Sequence, residues 1–328
     1  MNGAELCAER VVLASGLQSA VPPVPGLAES LPLDNETALE LPEQPASLAV
    51  IGGGPIGCEF AQILARFGVR VIVLEMLDRV LASEEPESSA AIANAFQDEG
   101  IEVVTGASIR AVERRDGRRY IQLESGRQLE VEEILVAAGR QLDGAALGLD
   151  AAGIEWTPKG VRADARLQTS QPWAWAAGDV VGGPLFTHVA SEMGQIAGRN
   201  SSFGEAREID LRVLPRATFM DPEVASVGLT EAQANGAGHA VKVGFARLAE
   251  AEKAQIDGTS VGHVKVVADA TSGELLGCHI VAEDAADMIH EAVALMAGRS
   301  PIDRVAAAMH AYPTLSELMR SALSAARP

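Results

Sequence analysis

The sequence predicts an α/β chain, with a parallel-sheet unit first and an α+β domain with an antiparallel sheet after it. Three observations carry that expectation. From Ala46 to Gly106 short apolar runs alternate with helical patterns, which is the signature of a βαβαβ unit. The first of those runs leads directly into a glycine-rich turn that opens a helix. Beyond about Leu211 the alternation gives way to five strand-like runs and then three helical segments.

Taken in order, Arg10 to Ala14 reads as a strand ending in Ser15-Gly16, and a proline-rich connector then runs to residue 44. The regular unit follows: the strand SLAVIG, the helix CEFAQILARFG, the strand VRVIVLE, the helix ESSAAIANAFQDEG and the strand IEVVTG. The next stretch is broken at Asp116-Gly117 and Ser125-Gly126, both good hairpin turns, and reads as a β-meander that returns to the main sheet. A second strand and helix, PWAWAAGDVVGG and HVASEMGQIAGRN, require a sheet whose other strands lie elsewhere in the chain. In the last part RATF, VASVGL, AVKVGFARL, VGHVKVVAD and ELLGCHIVA read as strands, with a hairpin turn at Ala270 to Gly273. Thr230 to Gln233 is a capping-box pattern for a short helix between the second and third of these strands. The segments DAADMIHEAVALMAG, PIDRVAAAM and PTLSELMRSALSA close the chain as helices on one face of the sheet.

Composition narrows the classes of function. A chain of 328 residues holds two or three domains, and none of its apolar stretches approaches the roughly 18 residues of a membrane span. The amino terminus carries acidic residues where a signal peptide is basic, so a soluble, cytoplasmic protein with no membrane partner is the expectation. With 26 basic against 45 acidic side chains the formal charge is −19, which repels a phosphate backbone and argues against nucleic acid as a partner. Cys7, Cys58 and Cys278 are scattered without CxxC spacing, so each reads as a small buried apolar side chain and no metal site is expected. The histidines His188, His239, His263, His279 and His290 are dispersed and take ordinary surface or core roles; Trp156, Trp173 and Trp175 read as sheet packing.

The glycine turn carries the chemistry. Gly52, Gly54 and Gly57 form GxGxxG, with Pro55 and Ile56 at the helix start, directly after an apolar strand. Gly52 permits the tight turn, Gly54 lets backbone approach a pyrophosphate, and Gly57 lets the helix lie close to the strand. Free N–H groups at the helix amino end then face the phosphates. Glu75, at the end of the second strand, is placed to accept hydrogen bonds from ribose hydroxyls. It would repel a 2′-phosphate, so NAD is favoured over NADP; the nearest basic side chain is Arg79. The plainer alternative is a turn that merely joins strand to helix.

The set IGGGPIGCEFAQ, ILVAAGR, WAWAAGDV, FTHVASEMGQIAG, FMDPEVASVGLTEAQ, GELLGCHIVAEDAADMIHE and HAYPTLSE, in this order, resembles the pyridine nucleotide-disulfide oxidoreductases, flavoproteins that include dihydrolipoamide dehydrogenase and mercuric reductase. The likeness runs from about Arg10 to Met319, and the wording of FTHVA and HAYPTLSE leans towards the mercuric-reductase-like branch. It implies a Rossmann-type NAD domain, residues 45–140 with Gly139 in its closing motif, inserted in a partial FAD domain formed by residues 1–44 and 141–210. It also implies an α+β dimerisation domain, residues 211–328, through which a homodimer forms. Ser15, Gly16, Gly178 and Asp179 then belong to the FAD site, where Asp179 is similar to the carboxylate that accepts from the flavin's ribityl chain; locally it also reads as a turn cap. A glutamate at the place of Glu59 pairs, in the family, with a lysine beside the flavin ring, and the alternative is a first-turn acid favouring the helix dipole.

Two departures accompany the resemblance. No second glycine turn and no CxxxxC pair are present, so the expectation is a truncated enzyme or one completed by a separate amino-terminal FAD segment. In disulfide-reducing members a histidine base is oriented by a glutamate five residues later. Here Glu317 remains, Tyr312 occupies the base position and His310 lies two residues earlier. Tyrosine, with a pKa of about 10, is a poor base near neutrality. The alternative for this segment is a helix start, with Pro313 in its first position and Glu317 in its first turns. The resemblance thus implies an oxidoreductase passing hydride from NAD(P)H through FAD to a disulfide, metal ion or other acceptor. A flavin-free NAD-binding dehydrogenase and a non-catalytic nucleotide-binding remnant are the rival expectations.

Overall fold

The computed structural model describes residues 7–327. Residues 1–6, at the start of the 1–44 segment, and Pro328, at the end of the 211–328 segment, lie outside the described residues. The chain divides into two compact units, residues 1–20 with 139–211, and residues 21–138 with 212–328.

In the second unit the parallel sheet has the strand order Glu102–Val104, Arg70–Leu74, Ser47–Ile51, Glu133–Val136. Its central strands are continuous apolar runs because both faces are covered. Leu48, Val50, Val71 and Val73 pack on Cys58, Ala61, Ile92 and Phe96 from the helices Pro55–Arg66 and Pro86–Asp98. The alternate residues Ala49, Ile51, Ile72 and Leu74 pack on Val112, Ile121, Leu129 and Val131 of the meander, as the twofold period of a strand requires. The meander turns at Asp116 and Gly117, both with positive φ, and the chain rejoins the parallel sheet through Glu133–Val136, as the sequence implies.

The antiparallel sheet of the same unit has the order Pro215–Thr218, Glu223–Gly228, Leu275–Ala282, His263–Asp269, Val241–Arg247. The helices Ala285–Ala297, Ile302–Ala306 and Ser316–Ala325 cover one face, where Val227, Val264, Val266, Cys278 and Ile280 meet Ile289, Leu295, Leu318 and Leu323. The helix Glu231–Gly236 opens with the capping box expected at Thr230, both reciprocal bonds being present. The opposite face of this sheet buries polar side chains among valines: Ser226, His263, Lys265 and His279, all at most 5% exposed, lie beside Val224, Val267 and Val281.

In the first unit the isolated strand Val11–Leu13 finds its partner in Ala174–Ala176, parallel to it and in register. Gln18–Ser19 pairs antiparallel with Arg140–Gln141. Leu142, Leu149, Ile154, Val161 and Val180 form its core, and the long helix is Thr187–Phe203.

Three local expectations are corrected. Cys7 is exposed rather than buried, whereas Cys58 and Cys278 are buried as expected. The last helix begins at Ser316, so Pro313 precedes it, joined to Tyr312 by a cis peptide bond, and does not occupy the first helical position. Glu59 is the fifth residue of its helix, whose first turn contains no acid, so it is not a first-turn acid. Among the described residues no helix is long and apolar enough to cross a membrane.

Candidate functional site

The glycine turn of the second unit is held from both sides. Gly52, with φ of 111°, donates to Leu74 O at 2.9 Å, and a Cβ there would lie 2.5 Å from Ala137 O. Gly57 sits so close beneath the turn that a Cβ would approach Gly52 O to 2.0 Å. Gly54 differs: it forms the N-cap of the helix with φ of −78°, and a Cβ there would meet nothing within 4 Å. Pro55 takes the first helical position, where its missing N–H costs no bond, and no side chain caps this end. The N–H groups of the first turn, Ile56 onward, therefore open onto free space above Gly54, a cradle that fits an anionic pyrophosphate.

Glu75 binds the turn from the adjacent strand. One carboxylate oxygen accepts from Gly53 N at 2.5 Å and the other from Leu77 N at 2.7 Å. An acceptor carboxylate fixed in this way retains lone pairs for ribose hydroxyls. Arg79 is turned away to Ala82 O and Asp78.

The flank of the helix Pro55–Arg66 is stitched to the segment before the strand Glu223–Gly228. Glu59 accepts from Phe219 N at 2.8 Å, Gln62 both donates to Asp221 O and accepts from Asp221 N, and Arg66 reaches Asp221. Burial pushes the Glu59 carboxyl above the ordinary carboxylate range, partly offset by the Phe219 N–H. Cys58 is buried with its thiol donating to Gly53 O, and burial, with Glu75 and Glu59 nearby, pushes the thiol up to about 12, so it is not a nucleophile.

A cluster that sequence reasoning missed lies between the loop preceding the helix Pro86–Asp98 and the polar face of the antiparallel sheet. Lys265 Nζ is 3.0 Å from Glu85, 2.9 Å from Glu87 and 2.9 Å from Glu231. Glu84 lies 3.7 Å from both Arg216 and His279. Burial alone would raise the Glu84 carboxyl, but His279, Arg216 and Ser226 outweigh it and hold it below the usual range. The only local hint of this in the sequence is a pair of adjacent glutamates ahead of a proline.

In the first unit Asp179 and Arg140 form an ion pair at 3.4 Å, Arg140 being a residue that the sequence reading did not single out. Gly178 has φ of 77°, and a Cβ there would crowd the Ala190 Cβ to 3.1 Å. Gly139 has φ of 111° and its carbonyl accepts from Ala20 N at 3.0 Å. Ser15 is exposed, and Gly16, at φ of 71°, has open space around it. The helix Thr187–Phe203 opens with no side-chain cap and no acid in its first turn, which leaves its amino end suited to an anionic or carbonyl group.

In the carboxyl-terminal motif His310 is paired with Glu291 and not with Glu317. His310 Nε2 lies 3.0 Å from Glu291 and its Nδ1 3.2 Å from Ala308 O, so both ring nitrogens face oxygen acceptors of the same chain. Glu317 is spent on the turn before its own helix, accepting from Thr314 N at 3.4 Å. Tyr312 is 67% exposed.

Comparison with known proteins adds an independent line. Residues 1–194 match the family profile described as pyridine nucleotide-disulphide oxidoreductase, and residues 214–323 match that family's dimerisation domain. Mercuric reductase from Bacillus cereus is 36% identical over 327 residues, covering 98% of this chain and 52% of the relative. Dihydrolipoyl dehydrogenase from Bacillus subtilis (strain 168) is 34% identical over 332 residues, covering 98% of this chain and 70% of the relative. The chain thus spans about half the length of the first relative and about seven tenths of the second. Among solved structures, the HOCl-induced flavoprotein disulfide reductase RclA from Escherichia coli superposes with a TM-score of 0.88 at 30% identity, over 96% of this chain and 73% of that one. LpdA from Mycobacterium tuberculosis gives 0.87 at 25% identity, over 97% and 69%.

Proposed function

The chain belongs to the pyridine nucleotide-disulphide oxidoreductases, and from that premise we propose that it works as an FAD- and NADH-dependent oxidoreductase. The observation that carries the reading is the open cradle over Gly54 at an uncapped helix end, with the Glu75 carboxylate fixed beside it. Gly52, Gly54, Ile56 and Gly57 hold the pyrophosphate, Pro55 shapes the first turn, and Glu75 takes the ribose, which selects NAD over NADP. Asp179, oriented by Arg140, takes the ribityl hydroxyls of FAD, and Ser15, Gly16, Gly139 and Gly178 shape the backbone around it. When bound, NADH supplies hydride and FAD relays its two electrons to the acceptor.

The NAD domain of this reading lies within residues 45–138 and the FAD-domain portion in residues 1–20 with 139–211, residues 21–44 going with the NAD-domain unit, and residues 212–328 form a homodimer. The separate amino-terminal FAD segment, where present, would be a further partner. Glu59 acts by fixing the nucleotide helix through Phe219 rather than as a proton donor. The residue at the base position is Tyr312, which is exposed, and Glu317 is engaged with Thr314 rather than with a histidine. That arrangement favours a metal ion or other acceptor whose reduction needs no histidine base over a dithiol–disulfide couple.

The test is reconstitution. Incubated with FAD and freed of excess, the chain should show a bound-flavin visible spectrum that NADH bleaches. Asp179→Ala should weaken flavin retention by about tenfold, the scale of one charged hydrogen bond. Binding of NADH without any flavin would favour the flavin-free dehydrogenase, and binding of neither would refute both. In dithiol assays His310→Gln should change turnover by less than about threefold, whereas the hundredfold loss typical of removing a general base would restore the histidine to that role.

A further inference from the structure

We infer that the buried cluster around Lys265 is a remote seat for the nucleotide turn, with Lys265 and Glu85 as positioning residues that set NADH affinity through Leu81. The inference rests on the reading of Gly52–Gly57 as the NADH site and extends it to residues far away in sequence.

The connection runs in three short links. Gly53 is the peptide immediately before the open cradle, and its two polar groups are fixed from different directions: its N–H by Glu75, and its carbonyl chiefly by Leu81 N at 2.7 Å, with the longer Cys58 thiol contact at 3.3 Å on the same oxygen. Leu81 itself is fully buried and has φ of 46°, a left-handed conformation that an L side chain adopts only when its surroundings impose it. Its carbonyl is gripped by Glu84 N at 2.8 Å and by the Ser89 hydroxyl at 3.3 Å. What anchors this loop at its far end is the cluster. Glu85, its side chain 2% exposed, accepts from Glu231 N at 2.6 Å and from Lys265, whose own side chain is 3% exposed.

Charge makes Lys265 the keystone. Three carboxylates, Glu85, Glu87 and Glu231, surround one ammonium, so its removal leaves buried Glu85 among like charges with only Glu231 N and, at 3.8 Å, His279 Nε2 beside it. The cheapest relief is movement of the loop, because the strand that carries position 265 is hydrogen-bonded to both neighbouring strands. Loop movement releases Leu81 from its strained conformation and with it the Gly53 carbonyl. The cradle then loses its set geometry although no residue that touches the nucleotide has changed.

The experiment compares two core lesions in one strand. Lys265→Met should raise the NADH dissociation constant of the full chain by about tenfold or more, and Lys265→Arg should restore it to within about threefold. Val266→Ala, which faces the helices on the other side of the sheet, should lower the melting temperature while moving NADH affinity by less than about twofold. Should Lys265→Met fail to fold, Ser89→Ala removes only the hydroxyl on the Leu81 carbonyl and should weaken NADH binding about threefold at near-native stability. Equal NADH affinity in wild type, Lys265→Met and Ser89→Ala, or equal losses in Lys265→Met and Val266→Ala, would overturn the inference. Failure of the wild-type chain to bind NADH at all would instead overturn the reading on which it rests.

Discussion

Gly54→Ala should abolish most NADH binding in a protein that still folds, whereas Gly57→Ala should lose both binding and stability. The two glycines are three residues apart in one turn, yet they face opposite constraints. At Gly57 a methyl group would collide with the Gly52 carbonyl at 2.0 Å and its carbon at 3.1 Å, both backbone atoms of the turn itself. Relief requires the helix to move off the sheet, opening the packing of Cys58 and Ala61 on Val50, so a loss of about 3 kcal/mol or more is expected. At Gly54 the added methyl meets no protein atom, and φ of −78° suits alanine, so the cost is about 1 kcal/mol or less, the difference between two N-cap residues. The same methyl occupies the space into which the pyrophosphate must come. A rise in the NADH dissociation constant of about a hundredfold is expected, near 2.7 kcal/mol. Thermal melts paired with NADH fluorescence titrations separate the effects. Undiminished affinity in Gly54→Ala would remove this turn from the nucleotide site.

The sequence made these glycines readable because their roles are local: strand, turn and helix are adjacent in the chain, and the spacing itself encodes the close approach. The capping box at Thr230 and the hairpin at Asp116-Gly117 were legible for the same reason. The partnership of Val11–Leu13 with Ala174–Ala176 was not, because a three-residue strand carries no information about which distant strand completes its ladder. Glu59 shows a subtler limit. A glutamate near a helix start looks like a dipole partner, but its carboxylate answers an N–H of Phe219, and nothing near Glu59 announces that contact. Lys265 and His279 lie in strands of a sheet for which the sequence predicts helices on one face only. The opposite face then reads as solvent-exposed, since a charged side chain signals water unless the sequence also reveals the carboxylates that replace it. His310 and Tyr312 were visible as residues, but whether a base was assembled depended on where Glu291 and Glu317 point.

The same buried face predicts that the protein is weakened by mild acid well before its carboxylates titrate. His263 is 5% exposed, its ring stacked on Phe245 with centroids 4.9 Å apart and its Nε2 3.3 Å from the Ser88 hydroxyl. Burial pushes its pKa down to about 4; Glu87 opposes the shift, and His279 and Lys265 add to it. In the unfolded chain the same imidazole titrates near 6.5. Between those values the unfolded state holds a proton that the folded state refuses, so stability is complete above about pH 6.5 and declines as the pH falls towards 4. The full depression corresponds to roughly 3 kcal/mol, an upper bound for one group. Glu84 adds a second loss below that window, because a carboxyl held under its unfolded pKa stabilises only while ionised. Lys265, whose pKa is raised by Glu231, Glu87 and Glu85 against the effect of burial, contributes stability that disappears only in alkali, so it does not shape this limb. Urea unfolding of the wild-type chain should therefore show a midpoint that drops steadily from pH 6.5 to 4.5. In His263→Gln, which cannot take up the proton, that drop should vanish, because the raised Glu59 carboxyl acts in the opposite sense, until the loss from Glu84 sets in. A slope in His263→Gln equal to that of the wild type would mean that some other group carries the acid sensitivity.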